Sequence, residues 1–151
     1  MLKGVTFDLG GTLVLGELNK VQFRNLLLNY LKKLGFVGTV KWIRDVRKKV
    51  TEGLVATRSL NREIRFEDLY QSILFRLGLH PEEEAVKQIH TLYIRSFKVE
   101  LLPEAEAVLK FLKKRHKLAI ISNAISNIPR ESIKKFRLGK YFDSIMVSRD
   151  M

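Results

Sequence analysis

The spacing of apolar residues changes several times along the chain, and each change marks an element. Lys3-Gly4-Val5-Thr6-Phe7 is short and partly β-branched, and the turn residues Asp8, Gly10 and Gly11 come directly after it. This predicts a first strand ending near Asp8. The period then becomes helical. Leu27, Leu31 and Leu34 share one face of a helix ending at Gly35, and Val40, Ile43, Val50 and Leu54 mark a second helix ending near Thr57. Phe66, Leu69, Tyr70, Ile73, Leu74 and Leu77 keep to i, i+3, i+4, i+7 spacing, with Gly78 behind them as the stop. A fourth helix over 82–97 starts after Pro81, carries Glu82, Glu83 and Glu84 where the helix dipole favours acids, and turns Val86, Ile89, Tyr93 and Phe97 inward.

From Leu101 the pattern changes again. Pro103 opens a helix running to about His116, and Leu118-Ala119-Ile120-Ile121 is a wholly apolar strand of the kind buried in parallel sheets. Pro129 opens another helix through Phe136 and Arg137, Gly139 ends it, and Ile145-Met146-Val147 is a third short strand. Strand, four helices, then helix, strand, helix, strand reads as an α/β layer with an all-helical insertion after its first strand. There is no internal repeat.

Composition narrows the class without naming a function. Among 151 residues, 46% are hydrophobic and 29% charged, with 9 Gly and 3 Pro, which suits a packed core and excludes collagen-like or disordered chains. No apolar run reaches the roughly 18 residues of a membrane span, and the N-terminus has no signal-peptide pattern, so the expected location is cytoplasmic. Cys is absent, which removes disulfides, thiolate zinc sites and a cysteine nucleophile.

Charge is the outlier: 28 Lys+Arg against 16 Asp+Glu leave +12. Between Lys20 and Arg65, twelve basic residues face only Asp45, Glu52 and Glu63, a net +9. An anionic partner, polyphosphorylated or nucleic acid, is one expectation, and a solvated Lys/Arg-rich surface of the thermophile kind is the other.

The candidate chemistry lies at strand ends. Asp8-Leu9-Gly10-Gly11-Thr12 places a carboxylate, two glycines and a hydroxyl after a buried strand, where open α/β sheets bind ligands. Glycines permit positive φ and close approach of backbone N–H groups to an anion, so a phosphate could rest there facing Asp8 as nucleophile or metal ligand. Ile120-Ile121-Ser122-Asn123 ends a second strand in a hydroxyl and an amide, and in a parallel sheet both loops open on one edge. Ser122 could then donate to a phosphate oxygen near Asp8, with Asn123 orienting the loop or the ligand. An ordinary βα turn and a Ser-Asn turn account for the same residues without chemistry. Gly10-Gly11-Thr12 lacks the spacing and Lys of a P-loop, and His80, His90 and His116 have no metal-ligand spacing. Trp42 reads as a helix-face aromatic packing into its own helical segment rather than as a platform for bases.

Together these residues resemble the haloacid dehalogenase superfamily. Phe7-Asp8-Leu9-Gly10-Gly11-Thr12-Leu13 is similar to its first motif, Ile120-Ile121-Ser122-Asn123 to its second, and the four intervening helices to the helical cap of its subfamily I. The first motif alone also resembles the phosphate motif of the sugar kinase/actin superfamily, but that fold continues into a β-hairpin, whereas a helical run is expected here. The haloacid dehalogenase resemblance implies a Rossmann-like parallel core over 1–15 and 101–151 and a cap over 16–100. It further implies a phosphatase working through an aspartyl-phosphate on a small phosphorylated compound. In that reading Asp8 is the nucleophile and an Mg²⁺ ligand, the Gly10 carbonyl is a second ligand, and Gly11, Thr12, Ser122 and Asn123 hold the phosphoryl group.

Two departures qualify the expectation. Gly10 stands where the family's usual general acid/base Asp would be, and losing such a group removes about 10²–10⁴-fold in rate. Dehalogenase-like or phosphonatase-like chemistry, or phosphate and nucleic-acid binding without catalysis, are the alternatives. The second departure is that Val147-Ser148-Arg149-Asp150-Met151 resembles the stretch just before the family's third-motif Lys. Without that Lys and the distal acids, the Mg²⁺ site is incomplete, the chain is expected to be inactive by itself, and the first strand becomes an exposed edge inviting self-association.

Overall fold

A computed structural model describes residues 3–57 and 64–150. Arg58, Arg62 and Glu63 of the basic segment, and Met151, lie outside the described residues. The chain forms two compact units, one of residues 1–17 and 97–151 and one of residues 18–96.

The first unit is built on a three-stranded parallel sheet. Strands β1 (Gly4–Phe7), β4 (Lys117–Ser122) and β5 (Ser144–Val147) lie in the order β1-β4-β5. Phe7 pairs with Ile120, and Ser122 with Val147, so all three strands end at the same edge. Helices α5 (Ala105–Lys113) and α6 (Ile128–Lys135) supply Ala105, Leu109 and Ile133 to a core shared with Leu118, Ile120, Leu138 and Tyr141. The helical insertion connects parallel strands as the chemistry of parallel pairing requires, since such strands need a crossover.

A second, two-stranded sheet pairs β2 (Val14–Leu18) with β3 (Phe97–Leu101). The helical period does not predict these strands. Phe97, expected to end the fourth helix, begins β3 instead, and the first motif runs into a strand rather than a helical run. The physical reason lies in pairing across sequence: Leu102 N–H donates to Leu13 O at 3.0 Å, and Asn19 N–H donates to Ser96 O at 2.8 Å. Residues roughly eighty to ninety positions apart therefore satisfy one another's backbone, a relation no local window contains.

The helical unit holds α1 (Lys20–Lys33), α2 (Val40–Thr57), α3 (Phe66–Arg76) and α4 (Glu83–Arg95). Asn19 caps α1 by accepting from Gln22 N–H at 2.9 Å. Gly35 and Gly78 take φ of 92° and 75° just past the ends of α1 and α3, conformations L side chains adopt at a cost. The six periodic positions of α3 and its end, from Phe66 to Leu77, are all buried. Phe66 stacks on Tyr70 with ring centroids 4.4 Å apart, and Phe23 meets Tyr93 edge-on at 5.3 Å. Burial pushes the Tyr70 phenol up to about 12. Trp42 is half-exposed and packs on Phe36.

Helix α6 ends differently from the sequence expectation. It stops at Lys135, and Arg137, not Gly139, takes the left-handed turn with φ of 53°. Burial of Leu138 and Tyr141 immediately after the turn holds that strain in place.

Two carboxylates tie this unit together. Glu106 on α5 accepts from the Tyr141 hydroxyl at 2.6 Å and pairs with Lys110, which lowers its carboxyl to about 2. Asp143 accepts from Lys113 at 2.7 Å and from Leu118 N–H at 2.9 Å, which holds its carboxyl well below the usual carboxylate range. A carboxyl whose folded value is depressed contributes stability above its unfolded value and loses it as pH falls through the folded value. Urea unfolding is therefore expected to show stability falling between about pH 5 and pH 2. Glu106→Gln and Asp143→Asn should lower stability at neutral pH and flatten that acid dependence; an unchanged slope in both variants would contradict the assignment.

The sheet also has an open side. By register Thr6, Ala119, Ile121 and Met146 share one face, and Ile121 is 52% and Met146 47% exposed. Parallel sheets are ordinarily covered on both faces. Strand β1 has no second neighbour among the described residues. The 151-residue chain is expected to self-associate through this edge and face. Sedimentation should show species larger than a monomer at moderate salt, shifted toward monomer by Ile121→Lys; a stable monomer at high concentration would refute it.

Candidate active site

The parallel register brings three strand ends to one edge of the first unit. Asp8 comes directly after β1, Ser122-Asn123 close β4, and Ser148 comes directly after β5. Asp8 is exposed, and its Oδ1 accepts from Leu9 N–H at 2.7 Å. Fixing one oxygen this way orients the carboxylate and leaves Oδ2 to face a ligand.

The loop after Asp8 folds on the Leu9 carbonyl, which accepts from Leu13 N–H at 2.9 Å, Val14 N–H at 3.0 Å and Thr12 N–H at 3.4 Å. Gly11 N–H donates to Val14 O at 2.8 Å. This revises the phosphate cradle expected from the glycines: the amides of Gly11 and Thr12 are engaged within the loop. The Asp8 carboxylate, the backbone of Gly10 and the exposed Thr12 hydroxyl take no part in these loop bonds. Gly11 is required by its φ of 77°, a turn requirement rather than an anion-binding one. Gly10 is different. No positive φ constrains it, and a Cβ there would meet nothing within 4 Å.

Ser122 is buried at 5% exposure, while Asn123 beside it is exposed. Asn123 Oδ1 accepts from the Ser148 hydroxyl at 2.8 Å, and Ser148 Oγ in turn accepts from Ala124 N–H at 3.0 Å. Arg149 donates to Ile125 O at 3.3 Å, and Arg130 reaches Asp150 at 2.6 Å. The residues after β5 thus clamp the Asn123 loop. Ser148 was not among the sequence candidates, although it carries the signal that marked Ser122, a hydroxyl at the end of an apolar strand.

Over residues 2–151 the sequence matches the haloacid dehalogenase-like hydrolases. The chain belongs to that family. No curated protein sequence matches it. Among solved structures, a 2-haloacid dehalogenase from Pseudomonas syringae pv. tomato is 21% identical with a TM-score of 0.67, covering 99% of this chain and 65% of its own. The HAD-hydrolase YfnB of Bacillus subtilis, solved bound to magnesium, is 17% identical with a TM-score of 0.53, covering 99% and 64%. A predicted phosphoglycolate phosphatase from Haemophilus somnus is 16% identical with a TM-score of 0.51, covering 99% and 64%. At these identities the likeness establishes the fold, a parallel α/β core of Rossmann type. The chain spans about two thirds of the length of each.

Mg²⁺ keeps several waters and takes one or two carboxylates together with substrate phosphate oxygens. Asp8 and Gly10 are the residues the sequence offers as its ligands, and no group of three or more His, Asp or Glu side chains that could hold a metal gathers among the described residues. His90, which has no metal-ligand spacing in the sequence, is a helix-packing histidine: it is buried, with Nδ1 3.2 Å from Glu67 Oε1 and its ring 4.4 Å from Phe66. No described helix is long and apolar enough to cross a membrane.

The two glycines should respond oppositely to substitution. Gly11→Ala is expected to destabilise the fold by about 1–2 kcal/mol through its left-handed conformation. Gly10→Ala is expected to change it by less than about 0.5 kcal/mol. Denaturant midpoints measure both; equal effects would mean that the turn does not need Gly11.

Proposed function

We propose that the protein is a phosphate-ester hydrolase of the haloacid dehalogenase-like family with Asp8 as nucleophile, acting on a small phosphorylated metabolite. The observation that carries this reading is the pre-oriented Asp8 carboxylate at the shared C-terminal edge of a parallel sheet, beside the Asn123 loop. Oδ2 attacks phosphorus, the bond from phosphorus to the leaving oxygen breaks, and that oxygen takes its proton from water. A second water then attacks the acyl phosphate, which releases inorganic phosphate and restores the carboxylate. Mg²⁺, held by Asp8 and the Gly10 carbonyl, would neutralise phosphoryl charge when bound. Ser122 and Thr12 are the hydroxyls this reading assigns to the phosphoryl oxygens.

Gly10 cannot transfer a proton, so the reading favours substrates whose leaving oxygen needs none. The same fact supports a second reading, displacement at carbon with loss of halide, where the leaving group also needs no proton. Asp8 would then form a carboxylic ester that water hydrolyses.

Turnover by the 151-residue chain is expected to be slow, because the described residues gather no complete cation site for the developing charge. An aryl phosphate and a 2-haloacid assayed with Mg²⁺ distinguish the two readings, and Asp8→Asn should abolish whichever activity is found. Gly10→Asp, for which the backbone leaves room, should raise hydrolysis of alkyl phosphates more than of aryl phosphates. Equal gains on both would show that Gly10 is not a vacated acid/base position, and full activity in Asp8→Asn would refute the nucleophile.

A further inference from the structure

The helical unit holds a cavity of about 260 Å³ between α1 and α2. Phe23 and Leu27 of α1 and Ile43 of α2, all buried, form its apolar floor, with Leu18 and Val40 beside them. Lys20, Arg24, Arg44 and Arg47 line the same cavity, and each is exposed. No acidic residue lines it. Asp45 lies 3.6 Å from Arg44, which leaves the group of four cations with a large net positive charge.

Helix geometry explains why the charges converge. Lys20 and Arg24 are four positions apart, and Arg44 and Arg47 three, so each pair occupies one face of its helix. Helix α1 carries no acidic residue at all, and α2 sets two acids against five bases. Like charges at these spacings repel, and two such pairs around one cavity repel more strongly, so an anion placed among them gains from all four. Arginine guanidinium groups match phosphate or carboxylate in bidentate geometry.

We propose that this cavity binds a small organic anion with an apolar body. Its phosphate or carboxylate is held by Arg24, Arg44 and Arg47, and its hydrocarbon part covers Phe23, Leu27 and Ile43. Drug-sized ligand pockets measure roughly 300–1,000 Å³, so the ligand is smaller than these. A floor of buried apolar side chains distinguishes the site from a nucleic-acid surface, where cations track the backbone along a groove. The site does not rest on the chemistry assigned to Asp8.

Calorimetric titration of the Asp8→Asn chain, which lacks the proposed nucleophile, separates the two. The probes are 1-naphthyl phosphate, 1-naphthol, inorganic phosphate and a single-stranded DNA of about 12 nucleotides. Naphthyl phosphate is expected to bind about tenfold or more tightly than naphthol or phosphate, since only it uses both floor and cations. Arg24→Gln with Arg47→Gln should weaken it about tenfold, while Lys32→Gln with Lys33→Gln, on α1 but away from the cavity, should not. Both pairs are exposed, and circular dichroism confirms that the variants fold. Absence of naphthyl phosphate binding, equal binding of naphthol, or equal weakening by both double variants would overturn the proposal. Tighter binding of the oligonucleotide would overturn it in favour of a polyanion surface.

Discussion

Parallel pairing of β1, β4 and β5 is the constraint on which the rest of the first unit depends. Hydrogen bonds that match Phe7 to Ile120 and Ser122 to Val147 oblige three chain segments to end together. Asp8 lies more than a hundred residues from Asn123 and Ser148, and only this ladder brings their strand ends to one edge. Its other end is secured by Asp143, whose carboxylate takes the Leu118 amide and two lysines where β4 begins. The buried face packs Leu118 and Ile120 against α5 and α6, so the ladder's position is set by hydrophobic burial as well as by backbone pairing.

Around that edge the loops serve unlike purposes. The turn after β1 is internally satisfied, with three amides on one carbonyl, which makes it a rigid mount for the Asp8 carboxylate rather than an open cradle. The loop after β4 is held from outside by Ser148 and Arg149. A nucleophile benefits from the first arrangement, since geometry fixed before binding need not be created during it. The helical unit is organised by other forces. Its aromatic core of Phe23, Phe66, Tyr70 and Tyr93 packs edge-on and stacked, while α1 and α2 present most of the local positive charge. Stability in that unit comes from apolar area, and the charged side chains of α1 and α2 stay exposed.

Much of this could be read from residue order alone. The six-residue apolar stripe of α3, the glycine stops at Gly35 and Gly78, the apolar run of β4 and the two motifs around Asp8 and Ser122 are local signals, because helix period, positive φ and continuous burial are each properties of a short window. The family resemblance was legible for the same reason. Strands β2 and β3 were not: β2 is short and does not alternate, β3 alternates over Phe97–Leu101 but its first residue also fits the period of the preceding helix, and their pairing joins residues about eighty positions apart. The left-handed turn at Arg137 was likewise hidden, because the burial of Leu138 and Tyr141 that holds it depends on helices packed around them. In the glycine loop the sequence indicates where amides could approach an anion, but which amides are already bonded is settled by the path of the chain through Leu9 and Val14. Local chemistry and periodicity are determined by the sequence one window at a time. Which strand ends meet, which hydroxyl clamps Asn123 and where four cations surround an apolar floor are decided only by tertiary structure, because each depends on contacts between residues that the order along the chain keeps apart.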